Sequence, residues 1–423
     1  ALSGRYRQLV LRETLWIRDV RAFQSGFIGR TFAEAGSLFR PSRWTVIVDA
    51  LGEAVIQDPL TLLFGVAFPL GVFALRRRIS SRVVLASVRV ARASTDRFRE
   101  TLICLLLAFL HGAAIAMPVL VLGSLLSDVR IGSDFATVVG RNLVTAGWYL
   151  LWLGTLRSMV RPDGLAEHHF GWSKASMKAI RTATIPLLLT IPVGFFDRMC
   201  DSGGLDLPDV GRLFYGLLPI CFAVTAFILL NPVKGLFVPS IEQNPDGKLA
   251  QAPWLPVAGV IGLLLGVGVF SVAGWYATVL LLQRVLIQSV MALVVLLIAR
   301  ELLLRLLTCR QRAQEMILRR QEANGEDVTE QEGHLETLSE QTQGAIGFTV
   351  FVLLAISLWY LWSPVLPALQ FGDGIVLWSR SIETLVAGED GKLGTTTISE
   401  SITLRDLAAA VFTIGFAVYA ARH

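Results

Sequence analysis

Residues 102–126, LICLLLAFLHGAAIAMPVLVLGSLL, contain no Asp, Glu, Lys or Arg. A helix of roughly 20 apolar residues is long enough to cross the hydrocarbon core of a bilayer. Of the 423 residues in the chain, 53% are hydrophobic and only 17% are charged, which is more apolar side chain than one water-soluble core requires. The sequence therefore predicts a polytopic helical membrane protein.

Further apolar windows, bounded by Pro, Gly or charged residues, predict additional spans. Together with the first they lie at about 59–75, 102–126, 136–156, 182–196, 213–231, 254–273, 282–303, 345–362 and 404–421. The window at 182–196 is short and contains Pro186 and Pro192, so it predicts either a kinked helix or a re-entrant element. The pattern favours an all-α fold of about nine transmembrane spans.

The basic residues between these windows predict the orientation, because cytoplasmic loops carry an excess of Lys and Arg. The loop between the first two spans contains eight arginines and only two acids, Asp96 and Glu100. Basic residues also dominate the loop after the third span, whereas acids dominate the loops after the fourth and eighth. The seventh span is followed by a cluster of arginines, Arg300, Arg305, Arg310, Arg312, Arg319 and Arg320, before an acidic stretch begins. This alternation fits nine spans with the N-terminus outside and the C-terminus inside.

The same patterns divide the chain into four segments. Residues 1–57 form a periplasmic or interfacial segment, 58–303 a seven-span helix array, 304–344 a cytoplasmic helix with an acidic connection, and 345–423 the last two spans with a periplasmic loop. The absence of Pro and Gly from Leu282 to about Glu322 predicts one long helix. The chain lacks an initiator Met and stops directly after an apolar run, so we expect both ends to continue in a longer protein.

Catalytic motifs are missing from the sequence. There is no GxxxxGK phosphate loop, no GxSxG elbow and no HExxH, so we expect neither an enzyme nor a bound cofactor. The four cysteines lack CxxC spacing, which argues against a disulfide framework or a thiolate metal site. They are Cys104, Cys200, Cys221 and Cys309.

The net charge and the two adjacent histidines raise the question of nucleic-acid and metal partners. The net charge of +5 could suggest nucleic acid, but the basic residues are concentrated in particular loops, where they set orientation or meet anionic lipid. His168 and His169 face different directions on one turn, and only Glu167 offers a ligand close in sequence. We therefore expect membrane lipids as partners, and neither nucleic acid nor a metal ion.

Two groups of residues are candidates for contacts in or on the membrane. The candidate headgroup contacts are Arg76, Arg77, Arg78 and Arg82. Exposed basic residues attract anionic lipid at about 1 kcal/mol each. The candidate helix-packing residues are Gly112, Gly262 and Gly266. They lie in rows of small residues at four-residue spacing, which permit close approach of helices, although Gly is also common in membrane helices for other reasons.

His111 is the only titratable residue that the windows place deep within a span. An ion-coupled transporter needs ionisable groups near the bilayer midplane, where they are costly unless functional. A single histidine at depth favours a neutral, hydrogen-bonded structural residue. The scarcity of such groups therefore argues against an ion-coupled transporter.

A motif follows the third predicted span. It reads Arg161-Pro162-Asp163-Gly164-Leu165-Ala166-Glu167-His168-His169-Phe170-Gly171-Trp172. It resembles the RPxGLAExHFxW segment of the large, potassium-dependent-type (MscK-like) branch of the MscS superfamily of mechanosensitive channels. The matching positions are Arg161, Pro162, Gly164, Leu165, Ala166, Glu167, His169, Phe170 and Trp172. The similarity continues through Asn231-Pro232, residues 277–286 and residues 402–407, the last resembling the start of the superfamily's first channel helix.

The resemblance implies a channel subunit in the bacterial inner membrane that assembles as a heptamer and releases ions and osmolytes on hypo-osmotic shock. It implies that these residues form a tension-sensing array, and that the pore-lining helix lies outside them, so that ions pass through a pore formed elsewhere in the subunit. Two other classes stay open at this point: a secondary transporter, and a non-conducting membrane scaffold.

Overall fold

The structure is a computed structural model that describes residues 26–90, 95–127, 134–201, 207–324, 329–363, 365, 376–387, 393–403 and 410. The chain divides into two units. The first, called the helix array below, comprises Arg18–Val279 and Arg305–Glu332. The second comprises Ala1–Ile17, Leu280–Leu304 and Gly333–His423.

Helices make up the helix array. In chain order they are α1 Phe27–Leu38, α2 Pro41–Gln57, α3 Pro59–Ala74, α4 Arg76–Val90, α5 Phe98–Ser127, α6 Asp134–Met159, α7 Leu165–His168, α8 Lys174–Asp201, α9 Pro208–Leu230, α10 Val238–Gln243, α11 Lys248–Gln251 and α12 Trp254–Val272. The long helix α13, Tyr276–Ala323, begins and ends in this unit. Helix α14, Thr329–Trp362, follows it in the chain.

Five helices of the described residues are long and apolar enough to cross a membrane. They are Phe98–Ser127, Lys174–Cys200, Pro208–Leu230, Trp254–Val272 and Gln341–Trp362. Each contains or overlaps a predicted span, which confirms the helical membrane class. The predicted spans 136–156 and 282–303 lie within α6 and α13, which are not among these five, so their crossing remains a prediction. The span at 404–421 lies outside the described residues, Ala410 excepted.

The chain turns by 96° at Asp58, between the helical stretch Phe27–Gln57 and α3. Pro59 disfavours helical backbone at the residue before it, and it has no N–H to donate into a continuing helix. The Asp58 carboxylate then caps α3, accepting from the Thr61 backbone N–H at 3.2 Å. If the bent pair is one span, the number of candidate spans rises to six. The sequence therefore placed the start of this helix correctly.

Helix α8 continues through Pro186 and Pro192 without a break. The sequence left a kinked helix and a re-entrant element open for 182–196. The helix is 28 residues long, about 42 Å at 1.5 Å per residue, which is more than a bilayer core requires. A single helix of this length is able to cross the membrane.

Glycines bring α5 and α6 together. Gly140, Gly147 and Gly154 recur every seven residues and so share one face of α6. A Cβ on Gly140 would lie 2.7 Å from the Gly123 carbonyl oxygen, and one on Gly154 would lie 2.9 Å from the Gly112 Cα. Neither distance is compatible with a side chain, so the two backbones touch along this seam.

The seam also shows that α5 extends beyond α6. Gly112 faces Leu151 and Thr155, and Gly123 faces Val144, so the helices run antiparallel. Continuing this register places the last residue of α6, Met159, beside Leu106. The first two turns of α5, about eight residues, therefore project past the end of α6.

The long helix predicted from Leu282 to about Glu322 is confirmed and begins earlier, at Tyr276. Its 48 residues correspond to about 72 Å, roughly twice a bilayer core. The acidic stretch after it, expected to be a connection, is helical from Thr329 and continues through Gly344 as part of α14.

The second unit adds a feature that the all-α expectation does not contain. Strands β1 Val376–Ala387 and β2 Leu393–Thr403 form a two-stranded antiparallel sheet, with Arg380 opposite Glu400 and Ile382 opposite Ile398. This stretch is rich in Thr, Ile, Val and Ser, and β-branched residues favour strands. The predicted loop before the last span is therefore in part a β-hairpin.

Candidate functional site

The motif at 161–172 begins with a tight turn that ends α6. Arg161 precedes Pro162, which disfavours helical backbone at Arg161. The Gly164 N–H donates to the Arg161 carbonyl at 3.1 Å, and Asp163 adopts φ 56°. A Cβ on Gly164 would lie only 2.8 Å from the Arg161 oxygen, so the turn requires glycine. Two of the motif's residues thus serve backbone geometry.

The rest of the motif, residues 165–172, packs compactly at the end of α6 and is called the plug below. Leu165 and Ala166 are fully buried, and the Trp172 N–H donates to the Ala166 carbonyl at 2.9 Å. The Phe170 and Trp172 rings lie 6.0 Å apart. Glu167 accepts from the Asp163 N–H at 3.1 Å and so closes the turn from outside. The plug lies beside the two projecting turns of α5.

His169 joins this plug to α5. Its Nδ1 lies 2.9 Å from the Thr101 Oγ1, and both side chains are buried. Burial, reinforced by the positive charge of Arg305, lowers the pKa of His169 to about 4. The ring is therefore neutral at pH 7, which suits a buried hydrogen-bonded position.

A buried carboxylate lies at the same end of the helix array. Asp96, in the short connection before α5, is paired with both Arg305 and Arg312 of α13. Its side chain has no solvent exposure, and Arg305 is only 6% exposed. The Arg312 Nη1 lies 2.5 Å from Asp96 Oδ2, and the Cys309 thiol lies 3.7 Å from Oδ1. We call Asp96, Arg305 and Arg312 the carboxylate clamp.

The clamp joins chain segments that are about 210 residues apart in sequence. Charges taken out of water are costly unless they are paired with good geometry, and removing one partner of such a pair is strongly destabilising. One carboxylate here pairs with two guanidiniums that lie two turns apart on α13. The clamp is therefore a specific attachment of α13 to the loop before α5.

Arg89 and Glu100 form a second ion pair beside the clamp, at 2.9 Å. Glu100 is 10% exposed and Arg89 is 43% exposed. This pair lies at the edge of the site, where solvent weakens its contribution. It joins the end of α4 to the start of α5.

The sequence analysis missed the clamp. A signal was present, because Asp96 and Glu100 are the only acids in a loop with eight arginines, and both are used in buried or half-buried pairs. The partners of Asp96 could not be found from sequence, since nothing local relates residue 96 to residues 305 and 312.

The opposite end of the helix array has an apolar core. We call this cluster the apolar cap; its buried members are Leu38, Ile47, Ala50, Leu126, Ala136, Val139, Met199, Cys200, Leu207 and Val210. Helices α1 and α2 cover the ends of the longer helices here, and the Trp44 Nε1 donates to the Leu38 carbonyl at 3.0 Å. Arg30 pairs with Asp209 at 2.8 Å.

Helix α13 is also attached at the cap end. The Tyr276 hydroxyl donates to Asp197 at 2.7 Å, and the buried Tyr215 hydroxyl donates to the Val279 carbonyl at 3.2 Å. Near its other end α13 contacts Asp96. One continuous helix therefore carries attachments to both ends of the array.

The predicted headgroup contacts lie together on α4. Arg76, Arg77, Arg78 and Arg82 are all exposed. The Arg76 guanidinium lies 4.1 Å from the centre of the Phe73 ring. Val84, Leu85 and Val88 of the same helix expose about half of their surface. The helix thus presents basic and apolar residues outward, as interfacial helices do.

The predicted packing glycines differ among themselves. Gly112 lies in the α5–α6 seam, where a Cβ would meet the Thr155 nitrogen at 2.6 Å. A Cβ on Gly262 or Gly266 would meet no atom of the described chain within 4 Å. The seven-residue spacing of glycines on α6 is therefore the more informative signal of close helix packing in this chain.

Asp163, Glu167 and His168 place one ligand atom each within 4.8 Å of one another, a grouping that could hold a metal ion. Asp163 and His168 are exposed, and His168 Nε2 lies 3.6 Å from Asp163. Glu167 also pairs with Lys174 at 3.8 Å. The grouping lies at the surface of the plug, and Lys174 is a cationic partner that the chain itself supplies to Glu167.

The fold and the site define a polytopic helical membrane protein whose long helix is attached at both ends of a helix array. The family described as mechanosensitive ion channel inner membrane domain 1 matches residues 59–378, and the chain belongs to this family. The motif's indication of the MscS superfamily is thereby confirmed.

A curated relative is similar over most of the chain. It is the miniconductance mechanosensitive channel MscM of Escherichia coli (strain K12), 25% identical over 406 residues, which covers 87% of this chain and 35% of the relative. The chain thus spans about a third of the length of this relative. No solved structure matches the chain.

Proposed function

We propose that this chain is the tension-sensing membrane region of a mechanosensitive channel subunit of the bacterial inner membrane. The observation that carries the proposal is the family match over residues 59–378, which spans α3 to the start of β1. In this proposal the pore-lining helix belongs to another part of the subunit, and the assembled heptamer releases ions and osmolytes on hypo-osmotic shock.

The exposure of the helices supports a sensor role. In the five candidate spans, at most 28% of the residues in the apolar window are buried within the chain. Most of their surface is available to lipid or to neighbouring subunits. Tension favours whichever state occupies more membrane area, and an array of lipid-facing helices is able to couple that preference to a pore elsewhere. Tension also thins the bilayer, and the resulting mismatch between helix length and bilayer thickness adds to the free-energy difference between the states.

The two attachments of α13 offer a route for transmission. Tyr276 and Val279 attach its start to the cap end, and Arg305 and Arg312 attach it to Asp96. A rearrangement of the array would then move α13 as one rigid element. Both attachments use a buried carboxylate, Asp197 at the cap end and Asp96 at the clamp, and Asp96 is paired with two arginines of α13.

The contacts also support the proposed orientation. The arginine-rich helix α4, the motif at 161–172 and residues 305–312 all meet the start of α5 or its preceding connection. They belong to the three loops that the sequence predicts to be cytoplasmic. At that membrane surface Arg76, Arg77, Arg78 and Arg82 would contact anionic headgroups.

Patch-clamp recording of the full-length protein in membranes lacking other mechanosensitive channels tests the proposal. We expect pressure-activated current, and we expect Asp96→Asn to shift the activation midpoint, with Arg141→Gln on exposed α6 surface as the matched control. Absence of pressure-activated current would remove the channel function. Saturable flux without tension would favour a transporter, and neither current nor flux would favour a scaffold.

A further inference from the structure

Two arginines at the end of α6 lie close together without an acidic partner. Arg157 donates to the Thr184 hydroxyl at 2.7 Å and to the Arg181 carbonyl at 3.3 Å, so its guanidinium is fixed against α8. Arg161, the first residue of the motif, donates to the His111 Nε2 of α5. In the described part of the chain neither guanidinium has an ion pair with a carboxylate.

The two positive charges act on each other. Burial, and then the charge of Arg157, lower the pKa of Arg161. Like charges at close range in a partly desolvated place are unfavourable unless an anion lies between them. The partners that fix the two side chains, Thr184, the Arg181 carbonyl and His111, are all neutral. The protein therefore positions both guanidiniums and leaves their charge uncompensated.

The position identifies the kind of anion. Gly112 faces Leu151 and Thr155 in the α5–α6 seam, so His111 lies level with the last turns of α6. The polar motif begins directly after this level, and α5 is one of the candidate spans. The apolar window 102–126 continues past this level on α5, but on α6 and α8 the apolar surface ends here, at Arg157 and Arg181, so that these long basic side chains reach the depth of lipid phosphates.

We propose that Arg157 and Arg161 form a binding site for the phosphate of an anionic phospholipid, with Thr184 and His111 holding the two guanidiniums apart. Arginine is suited to this role, because its planar fork donates two parallel hydrogen bonds to phosphate oxygens. Arg181 and the exposed Lys178 add positive charge nearby on α8. The site joins α5, α6 and α8, so a lipid bound there would stabilise this arrangement of the three helices.

The site does not depend on the channel function, and it is tested by lipid binding. Purified full-length protein in neutral detergent is titrated with dioleoyl-phosphatidylglycerol or with dioleoyl-phosphatidylcholine, and bound lipid is counted by native mass spectrometry. The double variant Arg157→Gln/Arg161→Gln should bind phosphatidylglycerol about 30-fold more weakly, since each basic residue contributes about fivefold. Arg141→Gln, which removes one arginine at the other end of α6, should bind like the wild type.

Two further measurements distinguish the source of the phosphate and do not depend on whether the variants fold. Millimolar inorganic phosphate should not displace phosphatidylglycerol; if it does, the site takes a soluble anion and the lipid assignment is wrong. In the wild-type protein, phosphatidylglycerol but not phosphatidylcholine should slow hydrogen exchange of residues 155–165 and 178–184. Equal binding of the two lipids, or unchanged exchange, would overturn the proposal without reliance on any variant.

Discussion

The two ends of the helix array are held together by different sets of interactions. At one end a single buried carboxylate, Asp96, joins two arginines of α13 and lies close to the buried His169. At the other end an apolar cap closes over the helix ends, and charge is buried beside it as well, because Asp209 pairs with the half-exposed Arg30 and lies 3.8 Å from the buried Arg212. Removing one partner of a buried ion pair is strongly destabilising, because it leaves an uncompensated charge out of water. At the clamp end buried charge attaches α13, whereas the cap end combines buried charge with a large apolar cluster.

Removal of Asp96 should have the largest effect. Asp96→Ala leaves Arg305 buried without its partner and should destabilise the clamp end by about 3 to 5 kcal/mol. Cys309 lies against Asp96, and burial raises the pKa of its thiol. In a background where the other three cysteines are alanine, we expect maleimide to label Cys309 much faster in the variant.

The matched control for this measurement is Arg305→Gln, which removes one of the two arginines and leaves Asp96 paired with Arg312. It should accelerate labelling of Cys309 less than Asp96→Ala. Labelling of Cys309 at the wild-type rate in Asp96→Ala would show that the clamp does not hold α13 in place.

Acidification should weaken the clamp end through His169. Its pKa is about 4 in the folded protein against 6.5 for an ordinary histidine, so the unfolded chain binds the proton more readily between these values. Stability from the neutral ring is complete above pH 6.5 and is lost as the pH falls toward 4, by about 3 kcal/mol in total.

Thermal unfolding followed by tryptophan fluorescence at several pH values checks this expectation. Asp96, Glu100, His168 and Arg305 also act on His169, so the slope must be compared with that of His169→Asn, which keeps a hydrogen-bonding group for Thr101. We expect the variant to lose part of the pH dependence between 6.5 and 4. An identical slope in both proteins would assign the dependence to other groups.

The glycine seam should respond at both ends, more strongly at Gly140, where a Cβ would meet three backbone atoms within 2.7 Å. Gly154→Ala, near the clamp end, and Gly140→Ala, near the cap end, both force a Cβ into backbone atoms and should each cost about 1 to 3 kcal/mol. Gly262→Ala is the matched control, because its Cβ would meet no described atom and alanine favours a helix. Unfolding temperatures in one detergent compare the three variants. A larger cost at Gly154 than at Gly140 would contradict this packing of the seam.

The smallest effect is expected from the ion pair at the cap end. Arg30 is 48% exposed, so Arg30→Gln should change the stability by only about 0.2 to 1 kcal/mol. Asp209 keeps Arg212 at 3.8 Å as a second partner. An effect as large as that of Asp96→Ala would mean that the cap end is as dependent on charge as the clamp end.

Much of the fold could be predicted from the sequence because its signals are local. Apolar windows located the candidate spans, the Asp58-Pro59 step located the start of α3, and the uninterrupted stretch after Leu282 predicted the long helix. The spacing in the motif at 161–172 indicated the family. The hairpin at 376–403 was not predicted, since the acidic charge and the position between two apolar windows indicate only a loop outside the membrane.

The sequence by itself determined that this is a helical membrane protein, because burial of apolar surface and the satisfaction of backbone hydrogen bonds in lipid leave few alternatives. Only the tertiary structure decided which polar side chains meet. It placed Asp96 against Arg305 and Arg312, His169 against Thr101, and Arg161 against His111. These pairs are separated by 50 to 216 residues, and no local preference relates their positions. These contacts form only when the helices assemble, and they make up the candidate site.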